Sequence, residues 1–310
     1  MNNIICIAGP TASGKTALAV QLAKELNGEV ISCDSMQIYR RMDIGTAKPT
    51  ADEMEGIPHH MLDVAEPEED FSVSKYCDLA TPILDDILSR GKTAIIAGGT
   101  GLYMDALIKG NDFAPFPATG HRQRLEEKLA AVGLDTLLSE LAAIDPEAAE
   151  RSQRNPRRII RALEVYYETG ETITSHNLKT QAIPPRYSPL WLGLDFDPRA
   201  LLYERIDRRV SIMLEAGLEQ EIRQLLSSGL DKRCTALQAI GYKEFLAALD
   251  GHCTIEEAAD AVRQASRRYA KRQLTWFRRN KTIHWLTRRE GDGSEEIIAR
   301  ARQIIRNFDN

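Results

Sequence analysis

The sequence is poor in cysteine: five in 310 residues, at positions 6, 33, 77, 234 and 253. The number is odd and no two form a C-x-x-C pair. That argues against a disulfide framework and a zinc module, and fits a reducing compartment. No apolar run is long enough to span a bilayer. No signal-peptide pattern precedes the first apolar segment, so a cytoplasmic location is expected. No internal repeat or low-complexity tract stands out, and no sustained heptad asks for a partner copy, so a monomer is expected. Charge of one sign is missing in two places. Residues 50–70 hold eight acids and no Lys or Arg, and residues 263–281 hold eight basic residues and no acid. A second basic run holds Arg151, Arg154, Arg157, Arg158 and Arg161. The net charge of −5 would disfavour a polyanionic partner on average, yet these runs favour one locally. The plainer alternative for each run is a solvated helix face.

What is present begins with "GPTASGKT" at residues 9–16. It fits G-x-x-x-x-G-K-[ST], with Gly9, Gly14, Lys15 and Thr16 in place. Backbone N–H groups of such a loop wrap a diphosphate, Lys15 reaches its outer oxygens, and the Thr16 hydroxyl ligates Mg²⁺. The flanks agree. "NIICIA" (3–8) suits a buried parallel strand, and Leu18, Leu22 and Leu26 predict a following helix that Asn27-Gly28 would stop.

The fold expected is α/β: a P-loop nucleoside-triphosphatase-like core with a parallel sheet, plus a helical insertion domain. Residues 1–112 and 186–310 would form the core and 113–185 the insertion. Strands are expected at 29–34, 93–101, 190–196 and 282–286. Core helices are expected near 74–90, 199–216, 218–228, 235–249, 254–279 and 294–308. The helix near 74–90 has Leu79, Ile83, Ile87 and Leu88 on its apolar face and a kink or restart at Pro82. Thr254 and Glu257 form a capping box. The insertion would hold helices near 121–131, 134–142 and 156–168. "NDFAPFPATG" (111–120) reads as a connector, and "QAIPPRYSP" (181–189) as the linker back to the core.

Ligands of open α/β sheets sit beyond the carboxyl ends of the strands. Asp34-Ser35 and "GGTG" with Thr100 follow two of those ends. The third strand lacks the Asp that an ATPase commonly uses for Mg²⁺. Asp34 could serve there, act as a general base, or simply cap a turn. His59-His60 reads as a turn after Pro58 rather than a metal pair. In "KRQLTWF" (271–277) the cations could hold phosphates while Trp276 and Phe277 stack on a base, or the aromatics could be core. An ATP-dependent small-molecule kinase is the alternative function that the phosphate loop allows.

These blocks together resemble the tRNA dimethylallyltransferase family, bacterial type. The resemblance covers nearly the whole chain: "GPTASGKT", "DSMQIY" (34–39), "IGTAKP" (44–49), "GIPHHMLD" (56–63), "GGTGLY" (98–103), "RIIRALE" (158–164), "AIGYKE" (239–244) and "KRQLTW" (271–276). It implies that Gly9, Pro10, Thr11, Ala12, Ser13, Gly14, Lys15 and Thr16 hold the diphosphate of dimethylallyl diphosphate rather than ATP. Arg205 and Arg209 match a family arginine pair, with Arg209 on the diphosphate and Mg²⁺ on Thr16. The dimethylallyl group would move to N6 of adenosine 37 beside the anticodon of a tRNA. Asp34 matches the general base, and Thr100 lines the reaction channel. The target base would be flipped into a tunnel. The implied tRNA contacts are Asp34, Ser35, Met36, Gln37, Thr100, Arg122, Arg158, Ile159, Ile160, Arg161, Ala162, Lys271, Arg272, Gln273, Trp276 and Arg278. One block departs: "SQRNP" (152–156) stands where family members often read Pro-Asn-Asp.

Overall fold

The computed structural model describes residues 3–110, 119–182 and 184–308. Residues 111–118, most of the expected connector, lie outside them. Contacts divide the chain into two compact units: residues 1–110 with 186–310, and residues 111–185.

The larger unit holds a six-stranded, all-parallel sheet. Its strands are β1 (Ile4–Ala8), β2 (Gly28–Cys33), β3 (His59–His60), β4 (Thr93–Gly98), β5 (Leu190–Phe196) and β6 (His284–Arg288), in the order β3-β2-β4-β1-β5-β6. β1 is central and buried throughout, as its unbroken apolar run requires of a strand covered on both faces. Cys6 pairs with Ile96 on one side and Trp191 on the other. The helices are α1 (Lys15–Glu25), α2 (Ala51–Met54), α3 (Val73–Ser89) and α4 (Gly101–Lys109) before the smaller unit. That unit contributes α5 (His121–Val132), α6 (Leu134–Ile144), α7 (Pro146–Arg151), α8 (Pro156–Thr169) and α9 (Ile173–Ala182). After it come α10 (Ala200–Glu215), α11 (Leu218–Ser227), α12 (Lys243–Leu249), α13 (Ile255–Phe277) and α14 (Ser294–Phe308). Ile5, Ile7, Leu22, Leu192, Leu286 and Ile298 share one core cluster. Each such side chain contributes about 1.5–3 kcal/mol on burial.

Several expectations shift. Gly28 opens β2 instead of ending α1, and Asn27 makes the turn at φ 49°. The segment after β4 is α4, where only glycines at a strand end were expected. Pro82 sits within an unbroken α3. Its missing N–H faces the carbonyl of Asp78, and both residues lie on the exposed side, where water can take that carbonyl. The buried face of α3 is Tyr76, Cys77, Ala80, Leu84 and Ile87, while Leu79 is 38% exposed. His59-His60 forms an edge strand against Val30 and Ile31 rather than a turn. The helix expected over 235–249 breaks at Gly241, φ 102°, into a short 3-10 turn at Ala236–Gln238 and α12. The capping box of Thr254 and Glu257 has both of its halves.

In the smaller unit α7 and α9 were not foreseen. Buried Asp145 ties them together, accepting from the N–H of Ala148 at 3.0 Å and from the hydroxyl of Thr174 at 2.8 Å. The "SQRNP" block starts α8. Asn155 accepts the N–H groups of Arg157 at 3.0 Å and Arg158 at 3.3 Å, and Pro156 follows in the first turn.

Candidate active site

The loop between β1 and α1 carries the phosphate motif. Gly14 precedes α1 at φ 92°, a conformation costly for any residue with a Cβ. Lys15 folds back over the loop, Nζ donating to the Pro10 carbonyl at 2.6 Å. Burial lowers its pKa from 10.5 to about 7; the Arg209 charge adds to the shift and Asp34 opposes it. Thr16 is the second residue of α1 and partly buried. Ser13 Oγ is buried without a hydrogen-bond partner among the described residues. Such an orphan costs about 1–3 kcal/mol, which an oxygen of a bound anion would recover.

Two cations from α10 close on this loop, one turn apart. Arg205 Nε donates to the Ala12 carbonyl at 2.8 Å, and its guanidinium lies over Phe196. Arg209 reaches Thr11 Oγ1 at 3.4 Å, the Thr46 carbonyl at 3.4 Å and the Ala47 carbonyl at 3.5 Å. Burial pulls its pKa below the ordinary value, and the Asp34 charge opposes that. An arginine stays charged regardless. Its hydrogen bonds to described residues all go to neutral oxygens, so this half-buried charge is suited to receive an anion.

β2 and β4 end side by side, Cys33 paired with Gly98. The residues after them interlock. The Ser35 N–H donates to Thr100 Oγ1 at 3.1 Å, and the Thr100 N–H donates to the Cys33 carbonyl at 3.1 Å. Asp34 Oδ1 accepts from Met36 N–H at 2.9 Å and Gln37 N–H at 3.4 Å. Asp34 therefore makes the turn and also lines the cavity beside it, so its two readings are compatible. That cavity has a volume of about 310 Å³. Its polar lining includes Thr11, Asp34, Ser35 and Arg209, with the cations Lys243 and Arg272 also on it, and Ile206, Val210, Met213, Ile240 and Val262 are part of its apolar lining. An anion subsite, a carboxylate and an apolar wall thus share one space. The arrangement suits a small apolar group carried on a phosphate and attacked by a nucleophile that must lose a proton.

Four residues have roles not read from the sequence. Tyr269 lines the cavity, with side-chain hydrogen bonding to Thr100 and Gln273. Burial first and the Asp34 charge second raise its pKa to about 12, so it stays neutral. Its spacing of three from Arg272 and four from Gln273 on a helix was the available signal. Gln273 is buried and used at both ends. Its Oε1 accepts the Thr11 N–H at 2.9 Å and its Nε2 donates to the Gly99 carbonyl at 3.0 Å. Both ends of the side chain are thus held by the protein, which makes it a strut between the phosphate loop and the exit of β4. Gln37 is similarly occupied, donating to the Thr46 and Ala47 carbonyls at 3.3 and 3.1 Å and accepting from Ser32 Oγ at 3.1 Å. Glu221, distant in sequence, holds the loop that starts at Asp43.

The basic segments divide into outward and inward residues. Lys271 and Arg272 are exposed, Arg272 lying over the Tyr269 ring at 5.4 Å. Arg278 pairs with Asp195 at 2.7 Å. Phe277 is core. Trp276 donates to Asp105 Oδ2 at 2.9 Å, packs against Gly101, and carries Arg279 over its ring at 3.8 Å. The core reading therefore holds for Phe277, and Trp276 has its ring covered rather than offered to a base. In the smaller unit Arg122, Arg158 and Arg161 are exposed, with Glu164 near Arg122 (3.5 Å) and Arg161 (2.9 Å). Ile159, Ile160 and Ala162 were expected to touch tRNA, but their side chains are buried. The apolar stripe of α8 anchors the helix, and the arginines between its members face water. Among the described residues no three His, Cys, Asp or Glu side chains gather as a metal site, and His60 instead bonds Glu29 at 2.8 Å. No described helix is long and apolar enough to cross a membrane.

Comparison with known proteins converges. The family model described as IPP transferase matches residues 37–280. A protein named tRNA dimethylallyltransferase from Acetivibrio thermocellus is 44% identical over 310 residues, covering 99% of both chains. One of the same name from Halalkalibacterium halodurans is 46% identical over 297 residues, covering 95% of this chain and 94% of its own. Among solved structures, the full-length tRNA isopentenylpyrophosphate transferase of Bacillus halodurans superposes with a TM-score of 0.75. It is 43% identical, with coverage of 100% of this chain and 97% of that one. A eukaryotic dimethylallyltransferase described as acting on tRNA superposes with a TM-score of 0.81 at 30% identity, covering 99% of this chain and 80% of that one.

Proposed function

This chain belongs to the IPP transferase family, the tRNA dimethylallyltransferases, and from that premise we propose how its own residues carry the reaction. It transfers a dimethylallyl group to tRNA. The donor is dimethylallyl diphosphate and the acceptor is N6 of adenosine 37. The observation that carries this reading is the cavity in which Arg209, Asp34 and an apolar wall meet. Lys15, Arg209 and the loop N–H groups take the charge that develops on the departing diphosphate, so the bond from the allylic carbon to oxygen breaks more readily. N6 forms the new bond to that carbon. The amine is a weak nucleophile because its lone pair is delocalised into the ring, and Asp34 receives the proton it sheds. Tyr269 lines the cavity with Asp34, and Thr100 accepts from the N–H of Ser35, which lines it too. The loop's donor set fits Mg²⁺, since that ion takes few protein ligands alongside phosphate oxygens, and the Thr16 hydroxyl would be one. When bound, Mg²⁺ adds positive charge beside the leaving group. The enzyme acts as a monomer in the cytoplasm.

A kinase would use the same loop for ATP. It would leave the apolar wall beside Asp34 and the exposed cations of α8 and α13 without a task. Competition separates the two readings. Inorganic diphosphate should inhibit against dimethylallyl diphosphate, Lys15→Ala should weaken both by about 10–100-fold, and ATP should not be hydrolysed. ATP turnover coupled to phosphorylation of a small molecule would support the kinase instead.

Lys15 also makes binding depend on pH. Its folded pKa, about 7, lies below the 10.5 of a free lysine. Between those values the unfolded chain holds more protons, so this group's contribution to stability rises with pH from 7 to 10.5. A bound diphosphate favours the charged ammonium and moves the pKa back up. Diphosphate binding should then take up a proton, and affinity should weaken as pH rises above about 7. Calorimetry of diphosphate binding at pH 8 in buffers of different ionisation enthalpy reads the uptake directly. Lys15→Met should abolish it, and equal uptake in that variant would assign the proton elsewhere.

A further inference from the structure

We infer that Glu221 is a positioning residue for the diphosphate end of the cavity: it fixes the loop of residues 43–47, and through that loop the direction of Arg209. The inference rests on the proposed reading of Arg209 as a diphosphate ligand. Glu221 lies on α11 and is 9% exposed. All four of its partners are donors. Oε2 accepts the N–H groups of Asp43 and Ile44, both at 2.8 Å. Oε1 accepts the N–H of Gly45 at 3.1 Å and the hydroxyl of Tyr242 at 2.6 Å. A buried carboxylate so surrounded is satisfied without a cation. Successive backbone N–H groups converging on one anion make a nest, here closed by the protein's own side chain. Tyr242 restrains the loop a second time by packing. A Cβ at Gly45 would lie 2.4 Å from the Tyr242 ring, so a glycine is required there.

The loop beyond this clamp orients the cation. The Thr46 and Ala47 carbonyls accept from Arg209 Nη2 at 3.4 and 3.5 Å, and from Gln37 Nε2 at 3.3 and 3.1 Å. The other terminal nitrogen of Arg209 meets Thr11 Oγ1 of the phosphate loop at 3.4 Å. Bonds this long hold a guanidinium weakly, so the position of the loop decides where the charge sits. Gly45 and Thr46 line the cavity, whereas Glu221 does not. Glu221 therefore acts through its neighbours.

The test uses the full-length enzyme with inorganic diphosphate as the probe, at temperatures well below each variant's melting midpoint. Glu221→Gln places an amide NH₂ among four donors. The inhibition constant of diphosphate and the KM for dimethylallyl diphosphate should rise about 10–100-fold, the scale expected when a binding group is displaced by an ångström or so. The KM for tRNA should stay within about threefold. Should Glu221→Gln not fold, Tyr242→Phe removes one donor and keeps the ring on Gly45; the same split should appear at about 3–10-fold. A folded variant with a lowered melting temperature and an unchanged inhibition constant would overturn the inference, leaving Glu221 a structural residue only. Arg209→Ala is the control. If it too leaves the inhibition constant unchanged, the reading of Arg209 fails, and the inference with it. If Arg209→Ala weakens diphosphate and the Glu221 and Tyr242 variants do not, the inference alone fails.

Discussion

Asp34→Asn lowers turnover by roughly 10²–10⁴-fold, the usual worth of a positioned general base. The fold should survive, because Asp34 holds its turn with Oδ1 alone, accepting from Met36 N–H at 2.9 Å and Gln37 N–H at 3.4 Å. An asparagine oxygen accepts the same two bonds. What it cannot do is take a proton from the attacking amine. The loss should therefore fall on kcat, with the affinities for dimethylallyl diphosphate and tRNA little changed. Single-turnover measurement with both substrates saturating isolates the chemical step. Turnover close to that of the unaltered enzyme would remove Asp34 from the proton transfer and leave it a turn residue.

The second large effect concerns the exposed cations. Replacing Arg158, Arg161, Lys271 and Arg272 together with Ala should weaken tRNA binding by one or more orders of magnitude and flatten its salt dependence. Each neutralised phosphate releases counterion, so the loss of four contacts should reduce the slope of log K against log salt by roughly three. The fold should be affected little. All four residues are exposed, and a surface pair such as Arg161–Glu164 contributes at most about 1 kcal/mol. Diphosphate inhibition should move far less than tRNA affinity, since Lys15 and Arg209 are kept and only Arg272 of the four lines the cavity. A tRNA titration at several salt concentrations reads both quantities. An unchanged slope would mean that these residues only solvate two helix faces, and that the RNA lies elsewhere.

The features legible in the sequence are those whose cause is local. The phosphate loop, its strand and its helix sit within residues 4–25, and spacing alone assembles them. Asp34 and Thr100 stand just past the ends of β2 and β4, as expected, because strand ends converge in a parallel sheet. The helix start at Thr254 was written in a four-residue box. What escaped depends on partners far along the chain. Gln273 meets Thr11 across 262 residues, and Glu221 meets Asp43 across 178. Nothing in the amphipathic pattern of α11 distinguishes Glu221 from its exposed neighbours until the 43–45 N–H groups are placed against it. The "RIIRA" block divides by face, which the motif does not show: a helix alternates faces, so Ile159, Ile160 and Ala162 went inward while Arg158 and Arg161 stayed out. No restart occurs at Pro82, since a proline on the exposed side of a long helix leaves its unpaired carbonyl accessible to water.

The most direct measurement is the fate of a labelled dimethylallyl group. The purified protein is incubated with Mg²⁺, dimethylallyl diphosphate labelled in its carbon chain, and an unmodified tRNA bearing adenosine at position 37. The tRNA is then digested and its nucleosides are separated. The label should appear as N6-isopentenyladenosine from position 37, with one diphosphate released per group transferred, and a tRNA carrying guanosine at that position should take none. Label remaining in the donor while the same preparation consumes ATP would contradict the assignment of this cavity to prenyl transfer.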